Sequence, residues 1–388
     1  MSGRRTVKTV ALILSAAFCI LTFACGTKTA EPNRPEGPAW ETLSAVSETP
    51  VRCATEFSIT QYTDGYEMIE IPATGKVLLV PEGQGAPKGL PEDVTVLYRP
   101  IDRIYLAATS AMDFFRALDG VSAVRLSGTK AEGWTIPEAR EAMERGDMLF
   151  AGKYSAPDYE LILWEKCDLA IESTMIYHSP AITEKLAGYG VPVLIERSSY
   201  EEDPLGRMEW IKVYGAILGK EDEAAALFDA EAEAVEEIGS MPKTGKTVAF
   251  FYVTGSGAVN VRKSSDYVVK MIETAGGEYV FSDLDSGNAL STVNMTTERF
   301  YIGAKDADVL IYNSSIDAEI FTVDELLDKC PILKDFKAVK TGDLWCTGKN
   351  LFQEPMGLGK LIGDFHRVLS DRDADGLVYL HKLTNGGK

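Results

Sequence analysis

Residues 203–239 read DPLGRMEWIKVYGAILGKEDEAAALFDAEAEAVEEIG. No strand signal interrupts this stretch. Asp203 to Leu218 reads as helix, with Gly219 placed as its C-cap. A longer helix follows from Lys220 to Ile238, rich in Ala and Glu and ended by Gly239. Leu227, Ala230, Ala234 and Ile238 fall at helical intervals on one face, while Glu223, Glu231, Glu233, Glu236 and Glu237 supply wet faces. A helical block this long divides whatever lies on its two sides.

On both sides the pattern is alternating β and α. Upstream, Val94 to Leu97, Ile104 to Leu106, Val121 to Leu126, Leu169 to Ile171 and Val191 to Ile195 read as strands. Ser110 to about Leu118, Pro137 to Arg145, Asp158 to Lys166 and Pro180 to Ala187 read as helices. Downstream, Thr247 to Tyr252, Val309 to Tyr312 and Leu344 to Cys346 read as strands. Asp266 to Ala275, Thr296 to Ala304, Asp324 to Lys329 and Met356 to Leu369 read as helices. Such alternation implies a mostly parallel sheet covered by helices on both faces. The predicted architecture is an α/β lobe over 51–205, a helical connector over 206–241, and an α/β lobe over 242–388. The halves also echo each other. Glu160 opens a helix ahead of Asp168-Leu169-Ala170-Ile171, and Glu298 opens one ahead of Asp308-Val309-Leu310-Ile311. Phe57 to Val80 alternates apolar and polar residues around Asp64-Gly65 and Gly75, which predicts an added β-hairpin or meander.

The first 24 residues have the layout of a secretory signal. Arg4, Arg5 and Lys8 are followed by an apolar run from Val10 to Ala24. That run is short for a membrane span, which needs about 20 residues. Leu21-Thr22-Phe23-Ala24-Cys25-Gly26 resembles a bacterial lipobox, with the small Ala24 in place but Leu21 four residues before Cys25 instead of three. Lipidation is expected at Cys25, and residues 25–50 are expected to be a flexible tether.

Charge narrows the function. The chain carries 39 basic and 58 acidic residues, a net charge of −19. Losing Arg4, Arg5 and Lys8 with the signal removes three more positive charges. Nucleic acid and whole-surface adhesion to anionic lipid are excluded as partners. Cys53, Cys167, Cys330 and Cys346 show no CxxC spacing, so a zinc or redox motif is not indicated; Cys330 and Cys346 are left as a pair that could bridge. Three histidines, His178, His366 and His381, do not make a three-histidine metal site, and no metal or cofactor is expected. Gly245-Lys246-Thr247 lacks the glycine and the strand-first context of a phosphate loop. Gly255-Ser256-Gly257 lacks the spacing of a hydrolase elbow. A secreted hydrolase therefore ranks behind a binding protein, and a structural protein behind both.

The ordered set Pro157-Asp158-Tyr159-Glu160, Asp168-Leu169-Ala170-Ile171, Gly190-Val191-Pro192-Val193, Asp203-Pro204-Leu205-Gly206-Arg207 and Ala275-Gly276-Gly277-Glu278-Tyr279 resembles the substrate-binding proteins of ABC importers for iron-siderophores, haem and cobalamin. The resemblance runs from about Ile104 to Leu369. It implies two Rossmann-like lobes bridged by a single long α-helix, no enzymatic activity, and a monomer anchored on the extracytoplasmic face of the membrane. Its implied partners are an ABC permease with its ATPase and an iron chelate, with a corrinoid or haem as the alternative cargo. Glu160 and Glu298 match the two glutamates by which the family docks on permease arginines. Ligands of open α/β sheets sit beyond the carboxyl ends of the strands. The loops there supply Thr109, Ser110, Tyr177, His178, Arg197, Tyr200, Arg262 and Trp345. Aromatics suit a flat or greasy chelate and arginines its anionic oxygens.

Overall fold

The computed structural model describes residues 34–72, 74–284, 291–370 and 375–385. The signal, Cys25 and the first part of the tether lie outside the described residues.

Strands β1 (Ala45–Glu48), β2 (Ser58–Tyr62), β3 (Glu67–Ile71), β4 (Gly75–Val80) and β5 (Val94–Tyr98) form one sheet in chain order. The first four are antiparallel and β5 joins β4 in parallel. The meander expected over 57–80 is therefore the middle of a larger sheet. Val94 to Leu97 completes that sheet instead of starting the lobe, because a short apolar run reads alike in either setting. Nor are residues 34–50 wholly a tether. The Trp40 ring packs on Tyr62 at 5.0 Å, Leu43 is buried, and Arg34 lies over the Tyr98 ring. One sheet face, with Met68, Leu78 and Val80, closes over that segment. The other, with Ile59, Ile69, Leu79 and Leu97, joins the main core.

The first lobe runs β6 (Ile104–Leu106), α1 (Met112–Ala117), β7 (Val124–Ser127), α2 (Pro137–Arg145), β8 (Leu149–Phe150) and a ribbon of β9 (Gly152–Lys153) and β10 (Ala156–Pro157). It continues with α3 (Tyr159–Trp164), β11 (Leu169–Ser173), α4 (Pro180–Gly188) and β12 (Val193–Glu196). Its sheet has the order β12-β11-β6-β7-β8 and is parallel throughout.

The chain then crosses through α5 (Pro204–Glu209), α6 (Ile211–Leu218) and α7 (Glu221–Ser240). Trp210 separates α5 from α6 within the expected first helix. Gly219 closes α6 with φ +68°, a value that disfavours any side chain. At 20 residues and about 1.5 Å per residue, α7 is roughly 30 Å long. Helix α6 is buried from Ile211 to Ile217, and its Tyr214 stacks on Phe114 of α1 at 4.8 Å. A β-carbon at Gly215 would stand 2.5 Å from that of Ala224, so glycine lets α6 and α7 pack closely.

The second lobe comprises β13 (Thr247–Val253), β14 (Val259–Arg262), α8 (Tyr267–Thr274), β15 (Glu278–Tyr279), β16 (Thr292–Met295), α9 (Thr297–Ala304) and β17 (Val309–Tyr312). It ends with α10 (Val323–Lys329), α11 (Lys337–Thr341), β18 (Leu344–Thr347), α12 (Leu358–Ser370) and β19 (Leu380–Lys382). The order is β16-β14-β13-β17-β18-β19, with β15 also beside β13. Strands β13, β17 and β18 are parallel, β14 and β19 run against them, and β16, antiparallel to β14, runs in their direction. Helix α7 packs on α12, so the α6–α7 pair touches both lobes.

Candidate functional site

Segments following parallel strands of the two lobes meet. After β7, the Thr135 amide and hydroxyl both donate to Gln353 Oε1, at 2.8 and 2.7 Å, from the segment after β18. Gln353 Nε2 in turn donates to the Gly133 carbonyl at 2.7 Å. At another point of contact, the Arg207 guanidinium lies 3.6 Å from the centre of the Tyr267 ring. By strand direction, the loops following β6, β11 and β12 leave the carboxyl edge of the first lobe's sheet and those following β13 and β17 leave the carboxyl edge of the second's.

Three residues expected separately form one cluster in the first lobe. Tyr177 follows β11, and Arg197 and Tyr200 follow β12. Arg197 Nη1 donates to the Tyr177 hydroxyl at 2.9 Å, and its guanidinium lies 4.2 Å from the centre of the Tyr200 ring. Both tyrosines stay exposed, at 42% and 48%, as does Met175 at 48%. His178 is exposed beside Tyr177. Thr109 and Ser110 sit half-buried in the turn after β6, with the Thr109 hydroxyl 3.0 Å from that of Thr129. In the second lobe, Ile316 after β17 and Phe352 after β18 are exposed.

The cluster has a fourth member that sequence reasoning missed. Arg197 Nε donates to Glu56 Oε2 at 2.7 Å. Partial burial opposes the charge, but the bonds from Glu56 and Tyr177 hold the Arg197 pKa above its ordinary value. Glu56 arrives on the strap leading into β2. That strap is anchored through backbone amides: Arg52, Cys53 and Ala54 donate to Glu209, and Thr55 and Glu56 donate to Glu201. A lone acidic residue 141 positions before its partner leaves no sequence signal.

Two expected ligand residues lie elsewhere. Arg262 is not in a loop: Thr254 to Ala258 is a hairpin turn, with Gly257 at φ +83°, and the chain returns as β14. Arg262 is therefore buried within the sheet, paired with Asp266 at 3.4 Å. Trp345 is in β18 and only 1% exposed, so it belongs to the core of the second lobe. Strand β14 was not read from the sequence, and Trp345 falls within the strand read over Leu344 to Cys346.

Glu160 and Glu298 are exposed on the first turns of α3 and α9. Each helix returns directly into a parallel strand, so its N-terminus lies at the carboxyl edge of its sheet. Asp158 caps α3, accepting from the Leu161 amide at 3.0 Å, and Thr296 caps α9. The Glu298 carboxyl is held below its ordinary range by its own backbone amide and by Thr296.

No group of three metal-ligating side chains occurs among the described residues. The four described cysteines, Cys53, Cys167, Cys330 and Cys346, are unpaired thiols. No described helix is long and apolar enough to cross a membrane. A groove of about 530 Å³ lies outside the cleft, between β5 and β12, and carries mainly aliphatic and threonine side chains.

Comparison with known proteins decides what this geometry belongs to. Residues 117–351 match the model of the periplasmic binding protein family. The chain belongs to that family. Its members are solute-binding proteins and not enzymes, and they act outside the cytoplasm. Two uncharacterized lipoproteins of Methanocaldococcus jannaschii are similar. One is 28% identical over 298 residues, covering 73% of this chain and 69% of that one. The other is 24% identical over 396 residues, covering 96% and 97%. A periplasmic heme binding protein of Pseudomonas aeruginosa shares the fold, with a TM-score of 0.54, 17% identity, and coverage of 74% of this chain and 99% of that one. This solute-binding protein is therefore built on the two-lobed plan that its alternating strands and helices predict.

Proposed function

We propose that this protein captures an iron chelate of the siderophore type between its lobes and delivers it to the permease of an ABC importer. The observation that carries the reading is the Tyr177–Arg197–Tyr200 cluster at the carboxyl edge of the first lobe. Exposed phenol rings offer a surface to an apolar chelate, and the hydroxyls of Thr109, Ser110 and Tyr177 offer hydrogen bonds. A corrinoid is the second reading, favoured by exposed Met175 and the two tyrosines, which can hold a large ligand by packing. His178 beside Tyr177 is the feature that would serve haem. In this reading the protein works as a monomer on the extracytoplasmic face, anchored by lipid on Cys25, and its permease is driven by a partner ATPase.

Glu160 and Glu298 are the docking residues of this proposal. Each is an exposed carboxylate on a fixed helix start, suited to bidentate pairing with a permease arginine. Replacing both with alanine should reduce solute uptake in cells by more than about tenfold while leaving solute affinity unchanged. Normal uptake by the double variant would remove the docking assignment.

A further inference from the structure

Glu56 occupies Arg197, the cation of the Tyr177–Arg197–Tyr200 cluster. Arginine carries five N–H donors in a planar fork, and an anion binds best by taking two on one edge. In Arg197 the Nε donor goes to Glu56 at 2.7 Å, one Nη1 donor goes to Tyr177 at 2.9 Å, and one face rests on Tyr200. Both edges of the fork are thus part-used. Glu56 is held in place by its own chain, because its backbone amide donates to Glu201 Oε1 at 2.9 Å. Glu201 is itself buried and accepts from Trp210 Nε1 at 3.0 Å. The carboxylate is delivered to Arg197 on a rigid strap.

We infer that Glu56 sets the charge class of the ligand: by neutralising Arg197 from within, it reserves the first-lobe wall for uncharged chelates and disfavours polyanionic ones. This rests on the solute-capture reading of the cleft. An anion approaching Arg197 meets a guanidinium whose charge Glu56 already balances and whose Nε donor is taken, whereas a neutral ligand meets phenol rings and hydroxyls without competing with the ion pair. The N-terminal sheet, whose strap carries Glu56, thereby contributes to specificity.

The test is Glu56→Gln, which keeps an acceptor oxygen for Arg197 Nε and removes the charge. Two readouts are taken on the purified protein. In the first, sulfate is titrated while the Arg197 Nε–H resonance is followed by NMR. The variant is expected to respond at about tenfold lower sulfate than the unsubstituted protein. In the second, a neutral ferric trihydroxamate and a trianionic ferric tris-catecholate are compared by affinity. The unsubstituted protein is expected to prefer the neutral chelate, and the variant to narrow that preference about tenfold by gaining affinity for the trianion. Equal sulfate responses in the two proteins, or an unaltered preference, would overturn the inference. A tighter fit of the trianion to the unsubstituted protein would do the same. Failure of either protein to bind any chelate would instead remove the capture reading. The sulfate arm would then decide alone whether Glu56 withholds Arg197 from anions.

Discussion

Glu172 offers a sharp test of the packing described for the first lobe. It stands near the end of β11 and is fully buried, and neither carboxyl oxygen has a hydrogen-bond partner. It shares its sheet face with Ala170, in the cluster formed by Tyr105, Ile162, Ile176 and Leu186. Burial alone raises its pKa from 4.5 to about 8. The sign follows from proton counting. Between these values the folded protein keeps the proton and the unfolded chain has lost it, so stability falls as pH rises through this window. A shift of about 3.5 units at 1.36 kcal/mol each sets a ceiling of ~5 kcal/mol, of which ~3.5 kcal/mol is lost between about pH 5 and pH 8. Glu172→Gln has nearly the same shape and cannot ionise. The variant should match the parent near pH 5 and exceed it by up to ~3.5 kcal/mol near pH 8. Urea unfolding of both proteins at the two pH values measures this difference. Because other buried carboxyls such as Glu67 and Asp113 titrate equally in both proteins, only the difference between them is diagnostic. A stability difference that does not change with pH would show that Glu172 is not buried uncharged as described.

Glu209 makes the opposite contribution. It accepts from the Arg52, Cys53 and Ala54 amides and from the buried Lys212 ammonium at 2.7 Å, and despite burial these bonds hold its carboxyl below the ordinary range. Its stabilisation is present above the usual carboxylate pKa and lost as pH falls through the lowered one. Glu209→Ala should cost about 3–5 kcal/mol by urea unfolding at neutral pH and open the strap around residues 52–56 to limited proteolysis. The thiols give an independent check on burial. Desolvation raises Cys53 and Cys346 to about 11 and Cys167 to about 12, and lifts Cys330 as well. Cys53, Cys167 and Cys346 should alkylate at neutral pH at least about 100-fold more slowly than after unfolding, and Cys330 more slowly as well. Rapid labelling of the folded protein would contradict the packing around them.

The main outline was legible because each lobe repeats a simple physical unit. A buried parallel strand needs a continuous apolar run, and the helix returning beside it needs an amphipathic face. Leu169–Ser173 and Val309–Tyr312 show the former and α9 and α12 the latter. The N-terminal sheet was only partly legible. Strand β1 is exposed along its whole length and β5 only half-buried, so neither carries the alternation that marked β2 to β4. Site residues followed the same logic. Tyr177, Arg197 and Tyr200 lie where strands β11 and β12 give way to loops, and position alone pointed to them. Arg262 was misplaced because strand β14, on which the chain returns, was not read, and Trp345 because it lies inside the strand already read over Leu344 to Cys346. Glu56 was invisible because its role depends on a contact spanning 141 positions.

The account rests on solute capture between the lobes, and titration of the purified protein tests it most directly. Ferric trihydroxamate, ferric tris-catecholate, haemin and cyanocobalamin would each be added while tryptophan fluorescence is followed. Trp210 reports through its bond to Glu201 beside the cleft, and Trp134 through its place next to Thr135. The account predicts saturable change at submicromolar concentration with one class, the neutral ferric chelate, and its loss in a Tyr177→Ala, Tyr200→Ala double variant that remains folded. No saturable response to any of the four, from protein that still unfolds cooperatively, would contradict it.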